Sequence, residues 1–167
     1  MGRPLAIALA LGAAVLVLVG TLTASWWSSE RNRWRASMGL QESRFCNDDT
    51  CRVGPVGGEA SDAQWVRAGS ASYAGGFVAG GLLLALVVTA ATRRERDLLT
   101  KTTMVASASA LVSAVVYVWL APSFPEMTPD YSMYTYFAGS ALGLVAGAVS
   151  LRVAARAASA ATPSRDS

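Results

Sequence analysis

The sequence of 167 residues contains no histidine. Histidine is the commonest metal ligand and the commonest general base, and serine and cysteine hydrolases use it to activate their nucleophile. Its absence excludes these hydrolases and haem held by an axial histidine. We therefore predict a protein that is not an enzyme, with no cofactor, no metal and no small-molecule substrate.

Charge is also scarce, since only 15% of the residues are charged, against roughly a quarter in a soluble domain. Long stretches carry no charge at all, and they comprise residues 4–29, 68–92, 102–125 and 131–151. About 20 apolar residues in a helix cross the hydrocarbon core, and lipid forces each span to satisfy its own backbone. The pattern predicts an all-α membrane protein, a four-helix transmembrane bundle.

We predict one membrane domain over residues 1–156, followed by a disordered cytoplasmic tail over 157–167. Its spans are placed at about 4–27, 70–92, 102–121 and 133–153, with an outer loop over 28–69. A cleaved signal peptide is an alternative for the first span, because Thr23-Ala24-Ser25 resembles a cleavage site. The apolar run exceeds the usual signal length, however, and Trp26-Trp27 follow it as predicted interface anchors, so an uncleaved span is favoured.

The orientation follows from the loops between spans. Residues 93–101 contain four basic residues, whereas the connection between the third and fourth spans has Glu126 and Asp130 and no basic residue. Positive residues favour the cytoplasmic side. We predict cytoplasmic N- and C-termini in a plasma membrane or bacterial inner membrane. The net charge of +3 then reflects topology, and no nucleic-acid partner is expected.

The first outer loop is long enough to fold. Residues 34–46 are predicted to form a strand and 51–56 a short partner, joined by a hairpin turn over the four residues between them. This gives a small extracytoplasmic β-hairpin or sheet. The acidic turn Asn47-Asp48-Asp49 offers too few oxygen ligands for a calcium site and is interpreted as solvated.

The only cysteines, Cys46 and Cys51, flank this turn. In an oxidising compartment such a pair is expected to form a disulfide. A structural clip is the favoured interpretation. A membrane thiol–disulfide oxidoreductase is an alternative, although such enzymes usually carry a Cys-x-x-Cys motif and a second pair to relay electrons.

Small residues recur along the spans at helical spacing and predict close helix packing. The glycines concerned are Gly139, Gly143 and Gly147 in the fourth span, and Gly76 and Gly80 in the second. Packing within the bundle is favoured, and one glycine face is left open for an oligomer or another membrane protein. An aromatic belt at the outer interface is predicted from Tyr117, Trp119, Tyr131, Tyr134 and Tyr136.

In the first outer loop, Trp34 precedes Gly39-Leu40, which is followed by Cys46 and Cys51, and Arg67 stands just before the second span. This order, with the four-span topology, resembles the claudins and their tetraspan relatives, although Gln41 stands where that family has a second tryptophan. The resemblance implies that these residues shape the outer sheet and its contact with the bundle.

The resemblance also implies a function in lateral assembly or adhesion within a lipid bilayer. The expected partner is a second copy of the chain or another integral membrane protein. An accessory subunit of a larger channel, transporter or enzyme complex is the alternative. The uncharged stretches that define the spans contain no acidic, basic or histidine residue, so proton relay or ion-coupled transport by one chain alone is not expected.

Overall fold

The computed structural model describes residues 2–23, 25–31, 34–48, 50–57, 63–92, 97–122 and 126–161. The described part is mostly helical, with a small antiparallel sheet. The helices are α1 (Arg3–Leu22), α2 (Gln64–Ala91), α3 (Asp97–Leu120) and α4 (Tyr131–Ala161). The strands are β1 (Trp27–Arg31), β2 (Trp34–Met38), β3 (Glu42–Asn47), β4 (Thr50–Pro55) and β5 (Thr128–Pro129). All four helices are long and apolar enough to cross a membrane, which confirms the predicted helices.

The first helix ends earlier than the predicted span. Thr23 has an extended backbone (φ −77°, ψ 123°), and the chain then turns into β1. The prediction that Trp26 and Trp27 anchor a membrane interface is wrong, because they are only 0% and 7% exposed within the protein core. The uncharged stretch 4–29 covers the end of the helix and the start of strand β1, and absence of charge cannot distinguish a helix from a strand.

The other three helices are longer than the spans predicted for them. Helix α2 begins at Gln64, α3 begins at Asp97, and α4 continues to Ala161. The charge criterion stopped near charged residues such as Arg67 and Lys101, which a helix tolerates beyond the hydrocarbon core. Alanine in the last turns of α4 favours the helix. The predicted disordered tail is therefore helical up to 161, and residues 162–167 lie outside the described residues.

The helices pack side by side, α1 and α3 each against both α2 and α4. The closest approach joins α1 and α4. A Cβ atom added to Gly20 would lie 2.6 Å from the backbone nitrogen of Tyr136, and one added to Gly139 would lie 2.5 Å from the backbone nitrogen of Val17. These two glycines let the helix backbones touch, as small residues do in packed membrane helices.

The strands form one antiparallel sheet in the order β4-β3-β2-β1-β5. The predicted single strand over 34–46 is wrong: it is two strands with a turn at 39–41, closed by a hydrogen bond of 2.9 Å from the Gly39 nitrogen to the Glu42 carbonyl. The predicted hairpin is confirmed as β3 and β4, with Asp48 in its turn at φ 48°. Strands β1 and β5 were not predicted.

Candidate functional site

The sheet rests on an aromatic cluster at the ends of the helices, which we call the aromatic seat (Trp26, Trp27, Trp65, Tyr117 and Tyr136). Trp26, Tyr117 and Tyr136 are completely buried. The ring centroid of Trp26 lies 5.6 Å from that of Tyr117 and 5.1 Å from that of Tyr136. Trp27 and Trp65 contact Tyr117 at 5.3 Å and 6.0 Å. These are favourable distances for aromatic pairs, so the seat packs as one unit.

Each of the three completely buried rings of this cluster donates a hydrogen bond to a carbonyl elsewhere in the chain. The Tyr117 hydroxyl donates to the Gly39 carbonyl at 2.8 Å, and the Tyr136 hydroxyl donates to the Ser72 carbonyl at 2.6 Å. The indole nitrogen of Trp26 donates to the Gly20 carbonyl at 2.9 Å. Buried polar groups are costly without such partners. The bonds therefore fix the sheet on the helices as well as fixing the helices to each other.

The turn at 39–41 is the part of the sheet inserted most closely against the helices. Leu40 is buried, and a Cβ atom added to Gly69 of α2 would lie 2.9 Å from the Leu40 carbonyl oxygen and 2.8 Å from the Tyr117 ring. Only a glycine at position 69 leaves this space. Gly39 and Leu40 thus lie at the contact between sheet and helices.

The segment between α3 and α4 is joined to the same place. The Trp26 nitrogen donates to the Met38 carbonyl at 2.7 Å, and the Asp130 nitrogen donates to the Trp26 carbonyl at 2.8 Å. The Ser25 hydroxyl donates to the Asp130 carboxylate. Strand β5 completes the sheet by pairing with the start of β1. Two segments far apart in sequence therefore form one structural unit.

One face of the sheet changes from buried to exposed along the strands. Met38 and Ser43 lie opposite each other next to the helices and are buried. At the other end of the same face, Trp34 is 56% exposed and Phe45 is 40% exposed. We call that end, formed by Trp34, Phe45, Asn47, Thr50 and Arg52, the sheet tip. Trp34 is the first residue of β2 and lies in this tip, far from the contact with the helices.

The predicted disulfide is confirmed. Cys46 and Cys51 lie directly opposite each other on β3 and β4, with an S–S distance of 2.05 Å. No other cysteine is present. In the described part of the chain, no three histidine, cysteine or acidic residues come together in a way that could hold a metal ion. Asp49 of the acidic turn lies outside the described residues.

All five predicted packing glycines contact other helices inside the bundle, where an added Cβ would meet a side chain or backbone atom. Their neighbours are Thr21 and Tyr136 for Gly76, Leu18 for Gly80, Val17 for Gly139, Ser107 for Gly143 and Met104 for Gly147. These faces are therefore used within the chain and are not open to a partner. Arg67 lies exposed in the first turn of α2.

The prediction of an aromatic belt is wrong for Tyr117 and Tyr136, which are buried, whereas Trp119, Tyr131 and Tyr134 are exposed. Helical spacing could have identified the two buried residues. Tyr136 shares a helix face with Gly143 and Gly147, and Tyr117 shares one with Ala110 and Ala114. Small residues on a helix face indicate an interior position.

No protein-family model matches this chain, and a search of curated proteins found no match.

Proposed function

We propose that this chain is a non-enzymatic integral membrane protein whose sheet mediates lateral assembly or adhesion, in the manner of the claudins that it resembles. The observation that carries the proposal is a sheet held immobile at one end and exposed at the other. Tyr117 and Trp26 fix the sheet to the helices, while the strands beyond this contact are largely exposed. A rigid, exposed platform suits recognition, because little conformational entropy is lost on contact.

The four helices support a membrane location. The basic residues at 93–101 and the acidic connection at 126–130 support an orientation with the sheet on the extracytoplasmic side and both termini in the cytoplasm. That side is oxidising, which agrees with the Cys46–Cys51 disulfide.

The helices are the less suitable surface for a partner. The glycine faces of α2 and α4 are occupied within the chain, and the uncharged stretches of the spans offer no acidic or basic group for an interhelical ion pair. What remains at the surface of the helices is mainly apolar and suits contact with lipid. Assembly by the sheet is therefore favoured over assembly by the helices.

Two further observations support the claudin resemblance. The cysteines join neighbouring strands of a small sheet, and Gly39-Leu40 forms the turn that rests on the helices. Both are what the resemblance implied for these residues. The disulfide closes a hairpin and has no second cysteine pair to exchange with, so a structural role is proposed for it.

The test is the mass and composition of the complex after gentle solubilisation from its own membrane. We expect a species of several copies containing this chain alone. Stable recovery with a different membrane protein would instead make it an accessory subunit of that protein. A strictly monomeric chain without any partner would contradict the proposal.

A further inference from the structure

The sheet tip exposes two large apolar side chains next to each other. Trp34 and Phe45 lie on adjacent strands and on the same face, offset by two residues, because Trp34 pairs with Asn47 and Phe45 pairs with Ala36. Strands rise about 3.3 Å per residue, so Trp34 lies roughly 13 Å along β2 from the buried Met38. Exposed aromatic pairs away from a core mark binding surfaces more often than isolated apolar residues do.

The two rings line a shallow depression of about 240 Å³, whose other described walls are Cys46 and three polar residues. Asn47, Thr50 and Arg52 supply an amide, a hydroxyl and a guanidinium group. The Thr50 hydroxyl donates its proton to the Asn47 carbonyl at 3.0 Å, which leaves its oxygen as an acceptor. Arg52 lies opposite Phe45 in the sheet and forms no ion pair with any described residue.

We propose that the sheet tip binds one ring of an acidic saccharide, such as a uronic acid unit of a surface polysaccharide. The apolar C–H face of the sugar ring packs on the Trp34 indole. The sugar hydroxyls bond to the Asn47 amide and the Thr50 hydroxyl. The carboxylate accepts two parallel hydrogen bonds from the Arg52 guanidinium, the geometry that arginine favours with carboxylates.

Three features favour this ligand. Among the described residues that line the depression, Arg52 is the only charged one, so the ligand carries a negative group. The volume is smaller than the roughly 300–1,000 Å³ of pockets for drug-sized ligands, so it admits a single ring of a longer chain. The floor is aromatic and the rim carries donors and acceptors, which matches a ring that is apolar on its face and polar at its edge.

A second copy of the chain fits this place less well. A two-fold contact through the tip would be self-complementary and would bring two Arg52 guanidinium groups towards each other. Like charges directly opposite each other are destabilising. The saccharide site goes beyond the proposed assembly, which can use other parts of the sheet.

The test uses the full chain in lipid nanodiscs, with tetragalacturonic acid as the probe and its fully methyl-esterified form as the uncharged control. Binding is measured by calorimetry, and saturation-transfer NMR identifies the ring protons in contact with the protein. We expect the acid to bind about fivefold or more tightly than the ester. Trp34→Ala and Arg52→Gln should each weaken binding by about fivefold or more.

Arg44→Gln is the matched control, because Arg44 is exposed in β3 but belongs to the opposite face of the sheet. It removes the same charge, and we expect no change in binding. Retention of the Cys46–Cys51 disulfide and of the unfolding temperature verifies that each variant is folded.

Absence of binding by the acid at millimolar concentration would overturn the inference, as would equal weakening by Arg44→Gln, which would indicate non-specific attraction. Dissociation of a multimer by Trp34→Ala, with no saccharide bound by the wild type, would assign the tip to contact between copies instead.

The complex mass of the wild type is measured in the same preparation. A multimer that binds no saccharide removes only this inference, and a monomer that binds it removes only the proposed assembly.

Discussion

Tyr117 and Tyr136 decide, through their phenol hydroxyls, how the sheet and the helices meet. A hydroxyl buried without a partner costs about 1–3 kcal/mol, so each ring must be oriented towards an acceptor. Tyr117 finds the Gly39 carbonyl in the turn of the sheet, and Tyr136 finds the Ser72 carbonyl in α2. The rings supply apolar contact, and the hydroxyls select one arrangement of it.

Tyr117→Phe should therefore weaken the protein while preserving the packed ring. The Gly39 carbonyl loses its phenol donor in a buried place, and we expect the free energy of unfolding to fall by about 1–2 kcal/mol. Denaturant unfolding of the full chain in mild detergent measures the loss. Tyr134→Phe is the matched control, because Tyr134 is 59% exposed, and no change is expected for it. An equal effect of both substitutions would show that the hydrogen bond does not matter.

At the scale of elements, the contact between α1 and α4 depends on the absence of two side chains. Gly20 and Gly139 face backbone atoms of the opposite helix, and a backbone cannot move aside as a flexible side chain can. Gly81 of α2 provides a contrast, since no atom lies within 4 Å of a Cβ placed there. The two kinds of glycine have the same chemistry and differ only in their surroundings.

We expect Gly139→Ala to destabilise the protein by about 1–3 kcal/mol, because the added methyl group forces α1 and α4 apart. Gly81→Ala should leave stability unchanged or slightly raised, since alanine favours a helix over glycine. Thermal unfolding of the two variants in the same detergent gives the comparison. If Gly139→Ala were as stable as Gly81→Ala, the close approach of the two helices would be wrong.

The sequence predicted the helices well because lack of charge is a property of one segment alone. The strands depend on contacts between segments, and the prediction was poorer there. Residues 34–46 contain no proline, so only Gly39 marked the turn that divides β2 from β3. Strand β5 has two residues and exists because the chain between α3 and α4 passes β1. The burial of Tyr117 and Tyr136 was within reach of helical spacing, whereas the exposure of Trp34 was not.

At the scale of the whole molecule, the aromatic seat joins the sheet to every helix. Trp26 follows α1, Trp65 belongs to α2, Tyr117 belongs to α3, and Tyr136 belongs to α4. A contact made by the sheet tip is therefore transmitted to the complete bundle, without a flexible linker. This rigidity supports the proposed assembly, and the proposed topology requires that the sheet lie on one side of the membrane and the termini on the other.

That requirement gives the last prediction, which concerns the proposed topology. Gln64 begins α2 at the end of the bundle that carries the sheet, and Ser159 lies exposed near the opposite end of α4. The native cysteines are joined in a disulfide, so a single added cysteine is the only free thiol. The four basic residues at 93–101 favour the cytoplasm for the Ser159 end.

A maleimide that cannot cross membranes should label Gln64→Cys in intact cells and Ser159→Cys only after permeabilisation. The reverse pattern would invert the orientation and place the disulfide in a reducing compartment, where it would not persist. Labelling of both in intact cells would contradict a chain that spans the membrane four times.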